Sequence, residues 1–265
     1  MKYTLFSKLI SGLSMASSLV LTTSCTKFSS KYGIHEQNNF SQSSFYSKVK
    51  NNYINNKVNE TLEYKNLLIF HSAIQTNDIA TAMYLIENNN IYLNKQDKDG
   101  QTALHWAAGM GHENICNHLL SNNNIKVNVQ NNNGQTALHW AAGMGHENIC
   151  NHLLNHNNIK VNVQNKNGQT PLHWAAGMGH ENICNYLLSN NNIQINLQDK
   201  NGQTPLHWAA RIERENILNL LLNHNNIKVN VQNKNGQTPL HWAAEIGNEN
   251  ICNDLLNRDP TLINI

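Results

Sequence analysis

The chain repeats itself every 34 residues. Gly100, Gly134, Gly168, Gly202 and Gly236 stand 34 apart, and so do Trp106, Trp140, Trp174, Trp208 and Trp242, which are all the tryptophans of the 265 residues. Residues 100–133 and 134–167 differ at three places only: Ser121 against Asn155, Asn122 against His156, and Asn132 against Lys166. A fixed period of this length means stacked supersecondary units, each touching its neighbours, rather than one compact core. The composition agrees. Asn supplies 50 residues and charged side chains only 14%, too polar for a single large core, yet apolar residues recur evenly after residue 65, which excludes wholesale disorder. A formal charge of +2 provides no broad positive field of the kind that non-specific nucleic-acid binding needs.

One unit, 168–201, shows what repeats. Thr170 is placed to cap a helix, and Pro171 suits its first position, where the missing N–H would be unpaired anyway. Leu172, Ala175 and Ala176 fall on one helical face, and Gly177 and Gly179 are expected to end the helix. A second helix is expected from about His180, with Ile183, Cys184, Leu187 and Leu188 as its stripe. Asn190 to Asn192 break it, and Ile193, Ile195 and Leu197 alternate with polar residues into a turn at Asp199-Lys200-Asn201-Gly202. Helices of two or three turns are unstable alone in water, so burial against the next unit must hold them.

The run Gly-Gln-Thr-Pro-Leu-His-Trp-Ala-Ala, then Gly-His-Glu-Asn-Ile, Leu-Leu and Val/Ile-Asn, resembles the ankyrin repeat. The likeness covers 100–265 in five units, 100–133, 134–167, 168–201, 202–235 and 236–265. A degraded capping unit at 66–99 precedes them, with Phe70-His71-Ser72-Ala73 in register with Leu104-His105-Trp106-Ala107. It implies an all-α repeat solenoid of about six stacked units, each a helix-turn-helix plus a β-hairpin or loop. The family's usual unit has 33 residues, so the extra one is expected in the Asn-rich segment, as at Asn122 to Asn124. Ala103 and Ala137 stand where 171, 205 and 239 carry Pro. Residues 211–214, Arg-Ile-Glu-Arg, replace Gly-Met-Gly-His and mark that unit for a local distortion or a specialised contact.

The N-terminus reads differently. Lys2 and Lys8, the apolar stretch Leu9 to Leu21 and the closing Ser24-Cys25 form an export signal over 1–24, too short to span a bilayer. Leu21-Thr22-Thr23-Ser24-Cys25 resembles the lipobox of bacterial lipoproteins, which implies lipidation of Cys25, although Thr22 stands where Leu is usual. An ordinary cleaved signal with an incidental Cys, or an uncleaved segment, are the alternatives. Residues 25–65, rich in Ser, Asn, Lys and Tyr, read as a disordered tether.

The repeats show little sign of chemistry. His105, His139, His173, His207 and His241 belong to the repeat motif, where the resemblance implies a hydrogen bond to backbone near the hairpin. His112, His146 and His180 recur once per unit at the turn between helices. Equivalent positions in stacked units lie about 10 Å apart, whereas zinc ligands sit near 2 Å from the ion, so a ladder of single imidazoles cannot share one metal. Cys116, Cys150, Cys184 and Cys252 share one position of the second helix; disulfides need Cα atoms within about 7 Å, so they are expected as small core residues. The tryptophans are expected to pack, or to contribute to a partner groove. No motif for catalysis, a cofactor or a metal is present.

The resemblance implies a protein partner laid across hairpin tips and the inner helix face. Here those positions are Lys98, Asp99, Gln101; Asn132, Asn133, Gln135; Lys166, Asn167, Gln169; Lys200, Asn201, Gln203; and Lys234, Asn235, Gln237, with Met110, Met144, Met178, Ile212 and Ile246 on the inner face. Arg211, Glu213, Arg214, Glu245 and Asn248 make the later units individual. The expectation is a monomeric, non-catalytic interaction protein, exported and tethered at the cell or outer membrane. The alternatives are a secreted effector acting on host proteins and a structural spacer without a single partner.

Overall fold

A computed structural model describes residues 62–88, 93–212 and 214–264. The proposed signal, Cys25 and the tether as far as residue 61 therefore lie outside the described residues, as does Glu213; residues 62–65, expected as the end of the disordered tether, are instead helical. The repeats fall in one compact unit, 66–265. Twelve α-helices follow in pairs: α1 (Leu62–Gln75) and α2 (Ile79–Asn88), α3 (Ala103–Met110) and α4 (Glu113–Leu120), α5 (Ala137–Met144) and α6 (Glu147–Leu154), α7 (Pro171–Met178) and α8 (Glu181–Leu188), α9 (Pro205–Ala210) and α10 (Glu215–Leu222), α11 (Pro239–Glu245) and α12 (Glu249–Arg258). From the second pair onward each first helix packs on the next first helix, and each second helix on the next second helix, giving two helical layers. A 3-10 turn, Pro260–Asn264, packs against α12 and buries Leu262. No described helix is long and apolar enough to cross a membrane.

The repeat residues do what their spacing requires. Ala107, Ala108, Ala141, Ala142, Ala175, Ala176, Ala209 and Ala210 have no exposed surface, so successive first helices approach closely. Ile115, Leu119, Leu153, Ile183, Leu187 and Leu221 are buried between second helices. Gly111 ends α3 with φ +78°, and a Cβ there would come within 2.6 Å of the His146 ring, so both its backbone angle and its neighbour require glycine. The second helices begin one residue later than expected, with His112, His146 and His180 at the N-cap.

Two expectations are corrected. Gly177 does not help to end its helix; α7 runs through it to Met178, and Gly179 in the left-handed conformation makes the stop. The bare Gly177 Cα is the floor on which the next unit's indole lies: a Cβ would overlap Trp208. The segments after the second helices are also not strands, and no strand occurs among the described residues. Alternation survives as burial, with Ile195 buried and Ile193 and Leu197 half-buried. The hairpin is closed by Asn165 N–H to the Gln169 carbonyl (2.9 Å), around a tip turn made by Gly168 N–H to the Asn165 carbonyl (2.8 Å). The returning bond, from Gln169 N–H, goes to the Asn165 side-chain oxygen (3.0 Å). A side chain thus takes the place of the second backbone acceptor that a strand pair would use.

The fourth full unit departs as its sequence suggests. Helix α9 stops at Ala210, and Arg211 caps it in the right-handed region rather than as a left-handed glycine. The Arg211 guanidinium then sits 5.7 Å from the Trp208 ring centroid and 5.3 Å from that of Trp242, filling the space that glycine leaves to the indole in earlier units.

The glycine floor is testable. A Cβ at Gly109 would lie 3.2 Å from Trp140, a contact that small movements relieve, whereas at Gly177 it overlaps the ring. Gly109→Ala is expected to be near neutral, as helix propensity offsets crowding. Gly177→Ala should cost about 1–3 kcal/mol through overpacking, read as a lower urea midpoint.

Candidate functional site

The surface a partner would meet is set by contacts between units. The repeat histidines from His105 to His207 each make one of them and also bond within their own unit. The Thr102 N–H donates to His105 Nδ1 (3.1 Å), and since a backbone amide can only donate, the proton must sit on Nε2. Nε2 then donates to the Gln135 carbonyl of the next unit (2.9 Å). The same pair of bonds recurs at His139, His173 and His207, reaching Gln169, Gln203 and Gln237 at 3.0, 3.0 and 3.1 Å. This is the backbone bond that the resemblance implies. His241, in the last unit, keeps its bonds with Thr238, from the N–H (3.1 Å) and the hydroxyl (3.0 Å), lacks the bond onward from Nε2, and is exposed. In the degraded first unit His71 is buried, but its Nε2 finds no acceptor.

Burial penalises charge on these rings. His139 and His173 are pushed down to about 4 by burial, opposed by the bonds to Gln169 and Gln203 and reinforced by neighbouring imidazoles. His105 and His207 are lowered for the same first reason. His146 and His180 also lie below the usual value through burial, while Nε2 of each meets the carbonyl of Gly109 or Gly143 (3.2 Å). His112 faces the Gln75 carbonyl, but its Nε2 lies outside hydrogen-bonding geometry.

A second ladder is built by asparagine amides. Asn128 donates through Nδ2 to the Asn158 carbonyl (2.6 Å) and accepts through Oδ1 from Lys160 N–H (2.9 Å), so one side chain imitates a peptide group between units. Asn94, Asn162 and Asn196 do the same toward Asn124 and Lys126, Asn192 and Gln194, and Asn226 and Lys228. At the hairpin tips the amides of Asn132, Lys166, Lys200 and Lys234 donate to the carbonyls of Asp99, Asn133, Asn167 and Asn201 (3.0, 2.8, 2.8 and 2.9 Å). The sequence signal of the bridging asparagines is an Asn that returns in every unit among residues that alternate apolar and polar.

These ladders decide which expected partner positions are available. Lys98, Asn132, Lys166, Lys200 and Lys234 are exposed at the tips, and Arg214 and Glu245 are exposed at the turns between helices. Met110, Met144, Met178, Arg211, Ile212 and Ile246 are half-buried. The glutamines are placed otherwise. Gln101 and Gln135 are buried and Gln169, Gln203 and Gln237 half-buried, because their backbone closes the hairpin and, from Gln135 onward, receives the histidine. Side chains of Gln135, Gln169 and Gln237 are further held by Asn131, Asn165 and Asn233. Expecting them as tip contacts ignored this internal role.

The tryptophans pack, with Trp174 buried and the rest half-buried. Trp140 meets Trp174 edge to face at 6.4 Å, and His173 meets Trp208 at 6.0 Å. Trp106 and Trp208 donate to the carboxylates of Asp97 and Asp199 (3.0 and 3.3 Å). Trp140 and Trp242 face hairpins that carry Asn131 and Asn233 instead, and their indole N–H groups have no acceptor. Cys116, Cys150 and Cys184 are buried free thiols; burial pushes Cys116 and Cys184 up to about 12, which leaves little thiolate. Among the described residues no three His, Cys, Asp or Glu side chains converge as a metal site needs.

Two outcomes follow from the ladders. Asn162→Ala removes two inter-unit bonds and should cost about 1–2 kcal/mol. Asn230→Ala, at the equivalent exposed position of the last described loop, should cost little in the same urea titration. The histidines fix a pH trend. Folding lowers their pKa, so between about 6.5 and 4 the unfolded chain binds more protons; their contribution is complete above about 6.5 and is lost as pH falls toward 4. The urea midpoint should therefore drop from pH 7 to pH 5, and nitrogen NMR at pH 7 should show the Nε2–H tautomer at His139 and His173.

A search of curated proteins matches none to this chain. A family model described as ankyrin repeats (3 copies) matches residues 40–131, 123–199 and 191–264, which takes in every helix pair described above. The chain belongs to the ankyrin-repeat family.

Proposed function

We propose that this protein is an exported, membrane-tethered interaction module that holds a protein partner across its hairpin tips and first-helix layer. Ankyrin repeats indicate a protein-protein interaction module, and the family is generally non-enzymatic. The observation that carries the partner reading is the row of exposed tip side chains, Lys98, Asn132, Lys166, Lys200 and Lys234, on a backbone held by bonds between units. A preorganised row loses little entropy on binding. With four lysines in it, the matching partner segment is acidic. Arg211 and Arg214 make the fourth full unit the place where recognition becomes individual. Export and tethering rest on the Lys2, Lys8 and Leu9 to Leu21 pattern and on the lipobox-like ending at Cys25.

A second reading, a spacer without a single partner, draws on the near identity of 100–133 and 134–167, since a surface tuned to a non-repetitive partner diverges from unit to unit. The two are separated by affinity capture with the full chain. Reversing Lys166, Lys200 and Lys234 to Glu should lose the captured protein and leave the urea midpoint within about 0.5 kcal/mol of wild type; unchanged capture supports the spacer. For the anchor, Cys25→Ser should abolish palmitate labelling and release the protein from membranes. A variant still membrane-bound with unchanged processing excludes lipid anchoring.

A further inference from the structure

Three hairpin tips share the eleven residues Lys-Asn-Gly-Gln-Thr-Pro-Leu-His-Trp-Ala-Ala, beginning at Lys166, Lys200 and Lys234. Each contains an Asn-Gly pair, the context in which an asparagine side chain is most open to attack by the following backbone nitrogen, because glycine has no Cβ in the way. Their local sequences being equal, any difference in reactivity between them must come from the fold.

The fold treats them unequally. The Asn167 carbonyl accepts Lys200 N–H and the Asn201 carbonyl accepts Lys234 N–H (2.8 and 2.9 Å). The next rung also lies directly on each glycine: a Cβ on Gly168 or Gly202 would meet Lys200 N or Lys234 N at 2.9 Å. A Cβ on Gly236 would meet nothing within 4 Å, and Asn235 and Gly236 are both exposed. That last hairpin is tied to the preceding unit by Lys234 N–H and by the His207 bond to the Gln237 carbonyl, and its tip is otherwise held from within, by Asn235 N–H to Asn233 Oδ1 (2.9 Å) and Gly236 N–H to the Asn233 carbonyl (3.0 Å). No described rung follows it. Attack requires Gly236 N to leave the Asn233 carbonyl and swing toward Asn235 Cγ, an opening that a covering rung opposes and an uncovered tip permits.

We propose that Asn235 is a site of spontaneous deamidation, and that the stack of rungs protects the same sequence at Asn167 and Asn201. The Gly236 nitrogen bonds to Asn235 Cγ, the Cγ–NH2 bond breaks, and the nitrogen leaves as ammonia carrying the Gly236 proton. Water then opens the succinimide at either carbonyl, giving aspartate or isoaspartate. No oxidant, enzyme or metal is required. The aspartate product turns Lys234-Asn235-Gly236 into the Lys-Asp-Gly that the first tip already has at Lys98-Asp99-Gly100, adding a negative charge to an exposed tip; the isoaspartate product lengthens the backbone of that turn.

The test is to incubate the full chain at pH 7.4 and 37 °C, folded and in denaturant, and follow each Asn-Gly by peptide mapping and mass spectrometry. One lost rung bond of about 1 kcal/mol corresponds to about fivefold in local opening. Asn235 should therefore convert at least about fivefold faster than Asn167 and Asn201 in the folded chain, and at the same rate as they do in denaturant. Equal rates in the folded chain, faster conversion at Asn167 or Asn201, no conversion at Asn235 while the denatured chain converts, or unequal rates in denaturant would each overturn the proposal.

Discussion

A single bond spanning thirty residues, from a repeat histidine's Nε2 to the glutamine carbonyl of the next unit, joins the local caps to the stack. It exists because the same imidazole accepts the threonine N–H that begins its own helix. Capping a helix fixes the tautomer, and the tautomer supplies the donor for the neighbour. Buried polar groups are tolerable only when satisfied, and here one neutral ring satisfies an orphan donor in one unit and an acceptor in another. Burial also keeps it neutral, so no counter-charge is needed inside the stack.

The asparagine amides extend the same principle to the surface. Short helices and hairpins without strand ladders leave many peptide groups unpaired within a unit. Asn128, Asn162 and Asn196 each offer a donor and an acceptor at the spacing of a peptide group and so tie successive loops. A chain with 50 asparagines thereby stacks without more apolar surface. The small-residue seam completes the arrangement: alanines let first helices meet, and Gly109 and Gly177 leave room for the next indole. At residue 211 glycine becomes arginine, and the cation occupies the space between Trp208 and Trp242. A core position has become a polar contact without breaking the stack.

Much of this was legible in the sequence. The period fixed the units, Thr-Pro marked helix starts, Gly179 marked an end, and the change at 211–214 marked the altered turn. What was not legible depended on relations between units. Gly177 reads as a helix breaker until Trp208 is seen lying on it. Gln135 and its equivalents read as tip residues from their place in the repeat, because the bonds that draw them inward run to Asn131 and to the histidine of the preceding unit. The bridging asparagines look like loop composition inside one unit, and their role appears only when residue 128 is set beside 158 and 160. Reading a solenoid one repeat at a time recovers what is local and misses what acts at i to i+30 and i+32.

Polar rungs between units, together with the apolar seam, hold the hairpin edge rigid. Native-state hydrogen exchange at Asn132, Lys166, Lys200 and Lys234 tests it most directly, because these residues are exposed while their amides bond to the preceding unit. These four amides should exchange with opening free energies close to those of the buried Leu138 and Leu172 amides. Exchange at the rate of an unstructured peptide would show the tips to be loose, and would contradict that rigidity.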